Sequence, residues 1–327
     1  MNSKNNISVW ISVAGALAIV VILVGVSMFS NHGSVATAAA TTQQITVPSH
    51  TEYQPMAPAA QAGSAVSITL TAEEKLITIA PGVAYHAWTF NGTVPGPVLR
   101  VRQGQLVHFT LVNNGTMAHS IDIHAAQIPW SVDYQPVAVG KSLSFDFTPQ
   151  YPGVYVYHCG APPPLYHIAN GMYGVFIVDP ANGWDPAQEI VLMQSEFYAS
   201  QSADGSYQLN TTALLNQQPT YVVFNGYADQ YKDNPITVKA NQKIRIFIAN
   251  IGPVEFSAFH VIGALFSDYY ADGDPANHEV GNQTITVPPG GAAMVELTIP
   301  AVGKYPFVTH SFVNASSGAI GVLNVVP

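Results

Sequence analysis

The stretch Gly153-Val154-Tyr155-Val156-Tyr157-His158-Cys159 combines a short apolar run with the only cysteine of this 327-residue chain. Val and Tyr are typical of strands, and a glycine precedes them, so a β-strand is expected here. Similar runs, separated by Gly, Pro and Asn and without a long helical period, recur at Ser67–Leu70, Gln105–Leu111, Ser142–Phe147 and Gly174–Val178. The pattern predicts an all-β fold made of sandwiches of antiparallel strands.

The strand pattern occurs twice along the chain. Phe90-Asn91-Gly92 returns as Phe224-Asn225-Gly226, 134 positions later, and Gly171-Met172 returns as Gly318-Ala319. Self-similarity of this kind indicates a duplicated unit. We therefore predict two tandem Greek-key β-sandwich domains, over residues 67–180 and 181–327.

Cys159 is followed by His167 and Met172, and these neighbours suggest a metal-binding role for the single thiol. A single cysteine in a β-protein is often a small buried hydrophobe. A thiolate with two imidazoles and a weak thioether is instead the ligand set of a blue-copper site, which is suited to one-electron transfer. Because Ala319 stands where the first unit has Met172, and the second unit has no cysteine, we expect one such site per chain.

Strand alternation divides the histidines of the first unit into two groups. In an extended chain Asp122 and His124 point to one face and His119 points to the other, and His158 and Cys159 likewise point to opposite faces. The expected first group is His119, Cys159, His167 and Met172. The second group is His124 and His158 with Asp122, which leaves positions for a third ligand and a substrate.

Composition and the amino terminus bear on partners and location. Lys and Arg total ten and the net charge is −9, which argues against nucleic-acid binding.

Lys4 precedes an uncharged run over Ile7–Phe29 and small residues up to Ala40, so residues 1–40 are predicted to be a signal peptide or a membrane anchor through residues 7–29. Residues 41–66 are predicted to be a flexible linker. The folded chain is expected outside the cytoplasm, secreted or membrane-anchored.

Together with these patterns, the segment Phe90-Asn91-Gly92-Thr93-Val94-Pro95-Gly96-Pro97 and the spacing of His119, Asp122 and His124 resemble copper-containing nitrite reductases of the cupredoxin superfamily. The resemblance covers residues from about 67 to 327. It implies one type 1 copper per chain, held by the first group. It also implies one type 2 copper, held by His124, His158 and His310, with His310 supplied by a neighbouring subunit of a homotrimer.

The same resemblance implies the reaction and its partners. Nitrite would be reduced to nitric oxide and water, with Asp122 and His260 as catalytic proton donors and Ile262 as the apolar wall of the pocket. The electron would come from a small redox protein, a cupredoxin or a cytochrome c. The loop between Cys159 and His167 is shorter by one residue than in many members of the family, so the colour and potential of the type 1 site do not follow from the resemblance.

Two other functions stay open from the residues alone. A two-domain cupredoxin electron carrier needs only the first group, and a copper oxidase could act on another small nitrogen species. A laccase-like oxidase would need a His-Cys-His run, whereas Gly160 follows Cys159.

Overall fold

Strands supply most of the regular structure in the computed structural model, which describes residues 44–327. The strands are β1 (Ala65–Ala80), β2 (Val83–Phe90), β3 (Leu99–Arg102), β4 (Leu106–Asn113), β5 (Asp122–Ile123), β6 (Ser142–Phe147), β7 (Gly153–His158), β8 (Tyr173–Asp179), β9 (Gln188–Phe197), β10 (Ala199–Gln201), β11 (Tyr207–Leu209), β12 (Tyr221–Phe224), β13 (Ile236–Lys239), β14 (Lys243–Gly252), β15 (Ser257–Val261), β16 (Phe266–Ala271), β17 (His278–Asn282), β18 (Thr284–Val287), β19 (Gly291–Thr298), β20 (Gly303–Thr309) and β21 (Ile320–Val326). The helices within this range are short: α1 (Trp130–Asp133), α2 (Pro164–Ala169), α3 (Thr211–Leu215), α4 (Gln230–Asp233) and α5 (Phe312–Ser316). The all-β prediction is confirmed.

The described strands form four sheets. The first has the order β10-β11-β2-β1-β4-β6 and the second β3-β8-β7-β5. The third has the order β12-β9-β14-β19-β16-β17 and the fourth β13-β21-β20-β15-β18. The first two sheets enclose one apolar core, and the last two enclose another. Each half of the described chain is thus a β-sandwich, although the hairpin β10-β11 from the second half pairs with the sheet of the first.

A third core joins the two sandwiches, and it explains why β8 is buried at every position. Phe176 and Val178 point into the core of the first sandwich, whereas Val175 and Ile177 point into the joining core. The opposing residues of the joining core come from β9, β14 and β19, for example Phe247. A strand buried on both faces reads as a continuous apolar run, which is what β8 shows.

A buried ion-pair network crosses the same joint. Arg100 on β3 donates to Asp179 at 2.9 Å and also contacts Glu189 on β9. Glu189 accepts a 2.9 Å hydrogen bond from Arg245 on β14, and Arg245 donates to Glu296 at 2.7 Å. The guanidinium groups and carboxylates satisfy one another, as buried charges must. The network therefore connects the sheets of both halves.

The structure differs from the expectation of a free linker for residues 44–64. The peptide N–H of Val191 donates to Pro55 O at 2.7 Å, and Ala57 N–H donates to Glu189 O at 3.2 Å. The Tyr53 hydroxyl donates to Gly96 O at 3.1 Å, and Tyr231 donates to Tyr53 O at 2.9 Å. The backbone of Pro55 and Ala57 and the side chain of Tyr53 make these contacts, which the composition of the segment did not indicate. It is a strap across both halves.

The other predicted boundaries have different outcomes. The division at residues 180/181 stays a prediction, because the described residues pack as one compact unit. The leader predicted over residues 1–40, including the tether through residues 7–29, lies outside the described residues. None of the helices in residues 44–327 has the length and apolar content needed to cross a bilayer.

The repeated Phe-Asn-Gly segment forms the same turn in both halves. Asn91 and Asn225 both have left-handed backbone angles, with φ of 56° and 53°. Their surroundings differ, because Asn91 is exposed and Asn225 is buried. The Asn225 side chain accepts from Met193 N–H at 2.7 Å, and donates to Val191 O at 2.9 Å and to Tyr231 Oη at 2.6 Å.

This pair gives a matched test of the second sandwich. Both Asn91→Ala and Asn225→Ala place alanine in a left-handed turn, so the backbone strain is shared. Asn225→Ala also leaves buried polar groups without partners, and we expect it to lower the free energy of unfolding by about 2 kcal/mol more than Asn91→Ala does. Urea unfolding of the two variants measures the difference. Equal losses would contradict the assigned role of the buried amide.

Candidate metal centres

The buried group lies between loops that follow the strands of the first sandwich. His119 precedes β5, Cys159 follows β7 directly, and His167 lies on α2. The Nδ1 atoms of His119 and His167 are 3.3 Å apart, and Cys159 Sγ is 3.3 Å from His167 Nδ1. One ligand atom from each residue lies within 4.8 Å of the others. All three side chains are buried.

The backbone holds Met172 beside this group. Met172 N–H donates to His167 O at 3.1 Å, and Cys159 N–H donates to Met172 O at 3.0 Å. Its side chain is fully buried in the same core as Cys159. The preceding Gly171 has φ of +115°, which favours glycine. The structure thus brings together all four residues predicted for the first group, while their role as ligands stays a prediction.

Burial controls the charge of the group. It raises the pKa of the Cys159 thiol to about 11, against the opposing effect of N–H donation to the sulfur from Ala161 and Ser120. Burial, followed by the nearby His119, lowers the pKa of His167 to about 4. The N–H groups of Ser120 and Ala161 lie 3.2 and 3.5 Å from Sγ. Two imidazole nitrogens and a sulfur that converge in an apolar core, with N–H groups aimed at the sulfur, are a donor set that fits copper.

Two residues that the sequence did not single out contact the imidazoles from outside. Glu74 Oε1 lies 3.0 Å from His119 Nε2. The Trp88 ring packs on His167 with its centroid 4.7 Å away. Burial alone would raise the pKa of Glu74, but hydrogen bonds from His119 and from Thr116 N–H outweigh it, so the pKa is lowered. The pairing of β1 with β2 brings both residues to the site. No local pattern in the sequence indicates that pairing.

The second group lies on the other face of the same strands. Asp122 and His158 are directly opposite across the antiparallel pair β5 and β7. His124 Nε2 is 3.3 Å from His158 Nε2, and Asp122 Oδ2 lies 3.9 and 3.7 Å from these two nitrogens. His124 is exposed, whereas Asp122 and His158 are half-buried. The structure therefore joins the three residues predicted for the second group at an accessible point.

One peptide bond separates the two groups. His158 belongs to the open group and Cys159 to the buried one, because their side chains leave opposite faces of the chain. The His158 Nδ1 atom lies 3.1 Å from Cys159 O. A carbonyl can only accept, so Nδ1 carries the hydrogen and Nε2 keeps a free lone pair. That lone pair points towards His124 and Asp122.

A cavity of about 410 Å³ opens at the second group. Asp122 and His124 line it together with residues of α1 and its flanks, namely Gln127, Ile128, Trp130, Asp133 and Tyr134. Trp130 is 73% exposed at the mouth of the cavity. Asp133 is buried, and this burial together with the charge of Asp122 raises its pKa. The sequence did not indicate that a second carboxyl would line the same cavity.

The predicted residues of the second sandwich lie elsewhere on the chain. His260 is on β15 and His310 follows β20, and their ring centroids are 5.6 Å apart. Ile262 and His310 are exposed, as is Phe312, whose ring centroid is 4.7 Å from that of His310. Among the described residues, neither histidine belongs to a cluster that could hold a metal within this chain. They form a histidine pair with an apolar border, in which His310 is exposed and His260 is half-buried.

Comparisons with known proteins first define a class. The family model described as multicopper oxidase matches residues 71–183, which contain both groups. A cupredoxin-like fold is shared with a solved copper nitrite reductase from Nitrosomonas europaea, with a TM-score of 0.74 at 38% identity over 80% of this chain and 94% of that one. The fold and the two groups thus place the chain among the cupredoxin-like copper proteins.

Curated relatives then define the family. A copper-containing nitrite reductase from Neisseria meningitidis serogroup B is 38% identical over 80% of this chain and 68% of that protein. One from Pseudomonas chlororaphis is 30% identical over 77% of this chain and 76% of its own length. The chain belongs to the copper-containing nitrite reductase family.

The buried imidazole of His167 predicts a pH dependence of the metal-free protein. The folded state keeps this group neutral down to a pKa of about 4, whereas the unfolded chain takes up the proton near its ordinary value. Stability from this group is therefore present above about pH 6.5 and is lost as the pH falls towards 4, by about 2 kcal/mol between pH 7 and 5. Urea unfolding at both pH values should show a smaller loss in His167→Gln. An equal loss in variant and wild type would contradict this origin.

Proposed function

We propose that this chain reduces nitrite to nitric oxide and water, using one electron and two protons per turnover. The observation that carries the proposal is the junction at His158 and Cys159. There, an open cluster of two imidazoles and a carboxylate adjoins a buried thiol and imidazole cluster through one peptide bond. Membership of the copper-containing nitrite reductase family supports the same reaction.

The chain would hold two coppers, one of each type. His119, Cys159, His167 and Met172 would hold the type 1 copper, and His124, His158 and a third histidine would hold the type 2 copper. When bound, the first supplies one-electron transfer and the second supplies a Lewis-acid template for nitrite. The apolar burial of Cys159 keeps water away from the electron-transfer site, whereas the cavity at Asp122 admits a small anion.

Asp122 would hold a proton beside the substrate. Cleavage of an N–O bond leaves an oxygen that must be protonated, and a positioned carboxyl can supply that proton. Asp122 is opposite His158 in the β5–β7 pair, so its distance from the imidazoles is fixed by backbone hydrogen bonds rather than by a flexible loop. The hydrogen bond from His158 Nδ1 to Cys159 O orients the imidazole in the same way.

The histidine pair His260 and His310 would complete the site from a neighbouring copy. His260 Nδ1 lies 2.7 Å from Gln283 O, a carbonyl, so Nδ1 carries a hydrogen and Nε2 is left to take up a proton and pass it to the substrate. His310 would be the third ligand of the type 2 copper, His260 the second proton donor, and Ile262 the apolar wall. Ligands for one metal on two chains require a closed ring in which each copy contacts the next, and a homotrimer satisfies this requirement.

The electron donor and the location follow from the same proposal. A small redox protein, a cupredoxin or a cytochrome c, would deliver the electron. The enzyme would act outside the cytoplasm, where the single unpaired cysteine is explained by its metal rather than by a disulfide.

Substitution of the proton donors tests the reaction. Copper-loaded protein should produce nitric oxide from nitrite with a chemical reductant, and Asp122→Asn and His260→Ala should each lower kcat by about 100-fold or more because they remove proton transfer. Asp146→Asn is the matched control, since this exposed carboxylate on β6 pairs with His108 and is not part of either group. Two coppers per chain without nitric oxide production would refute the proposal. One copper per chain, all with a thiolate charge-transfer band, would favour the electron carrier.

Mixed trimers test whether two chains share a site. Asp122→Asn and His310→Ala should each be nearly inactive alone. If one chain supplies Asp122 and its neighbour supplies His310, every mixed trimer of the two variants contains one rebuilt site, which is about one third of its sites. Co-expression with two affinity tags, followed by nitrite assay of the doubly tagged fraction, measures this recovery. A mixed fraction as inactive as its parents would show that each site lies within one chain.

A further inference from the structure

We infer that Glu74 is a positioning residue that lowers the reduction potential of the buried copper centre through His119. The inference rests on the proposed function, in that it requires His119 to be a copper ligand. It adds a residue on β1, 45 positions before His119 in the chain, that the family motifs quoted above do not include.

Both carboxylate oxygens of Glu74 are held in place. Oε1 lies 3.0 Å from His119 Nε2, and Oε2 accepts a hydrogen bond from Thr116 N–H at 2.8 Å. The side chain of Glu74 is only 22% exposed, and that of His119 is fully buried. Because the carboxylate accepts at Nε2, the His119 tautomer carries its hydrogen there and leaves Nδ1 free. Nδ1 is the atom that faces His167.

The first hairpin of the sandwich places this carboxylate. Glu74 on β1 is directly opposite Trp88 on β2, so their side chains leave the same face of the sheet. Glu74 contacts one imidazole of the buried group and Trp88 packs on the other. The hairpin thus covers the outer side of both imidazoles with one charged and one aromatic residue.

Gly115 provides the room for the contact. A Cβ atom at this position would lie 2.8 and 3.0 Å from the two Glu74 oxygens and 3.0 Å from His119 Nε2. These separations are shorter than ordinary Cβ contacts, so a side chain at residue 115 would push the end of the Glu74 side chain away from the imidazole. The backbone of Gly115 is not in the left-handed region. Alanine can therefore adopt this backbone conformation, and its methyl group would disturb the carboxylate contact.

The consequence for the metal is electrostatic. A carboxylate that accepts a hydrogen bond from a ligand imidazole fixes the ring and makes it a stronger donor. Its negative charge, weakly screened near an apolar core, stabilises the more positive oxidation state. Glu74 would therefore favour oxidised over reduced copper at the buried centre.

Glu74→Gln removes the charge with little change of shape. Its single acceptor oxygen can keep the hydrogen bond from His119 if the contact with Thr116 N–H is given up. At a fixed ambient potential, we expect the ratio of reduced to oxidised copper to rise about tenfold, which is about 59 mV for a one-electron couple. Redox titration of the thiolate charge-transfer band measures the ratio. Glu73→Gln is the matched control, since this neighbour faces the other side of β1 and should leave the ratio unchanged. An unchanged ratio in Glu74→Gln would overturn the inference.

Gly115→Ala gives an independent test with the carboxylate intact. The added methyl group should displace Glu74 from His119 and raise the same ratio, and Glu74→Gln combined with Gly115→Ala should add little to either change alone. Additive effects would overturn the inference. Failure of the proposed function has a different signature, in which wild-type protein has no thiolate band or makes no nitric oxide. A normal band and normal activity, with ratios that do not move in either variant, count against the role of Glu74 alone.

Discussion

The antiparallel pairing of β5 with β7 is the constraint on which the rest of the site depends. It places Asp122 opposite His158 on one face, and it sends Ile123, Tyr157 and Cys159 towards the core. A slip of one residue would exchange the two faces and dismantle both groups at once. Because β5 has only two residues, the register is set by the longer partner β7, which pairs with β8 over its whole length.

The first group is buried and the second is accessible to solvent. This difference suits the functions proposed for the two groups. The buried group gains a fixed geometry from close packing, and it avoids the cost of burying charge by keeping its histidines neutral when no metal is bound. The open group exposes His124 and the carboxylate of Asp122 to a cavity. Electron transfer needs little rearrangement of the ligands, whereas substrate exchange needs access. One pair of strands supplies both conditions.

The sequence was sufficient for features that depend on neighbours in the chain. Alternation along the strands separated His119 from Asp122 and His124, and separated His158 from Cys159, without knowledge of any sheet. The sequence was insufficient where distant strands meet. Glu74 and Trp88 lie on a hairpin whose pairing no local pattern reveals, and Asp133 reaches the cavity through a short helix. His260 and His310 could be selected only by the family resemblance, because each is a single histidine on an ordinary strand or loop.

The ion-pair network between the sandwiches limits how far the internal repeat can be treated as modular. The two halves share a turn, a strand order along the chain and a glycine with a left-handed backbone before β8 and before β21. Yet Arg100 and Asp179 lie on one side of the joint and meet Glu189 and Arg245 on the other. A fragment containing one half alone would expose charged groups arranged for partners it no longer has, beside a large apolar face. Each half thus depends on the other to pair its charged groups and to cover its apolar face. If a single sandwich were exchanged between relatives, the residues that pair with its charged groups would have to be exchanged as well.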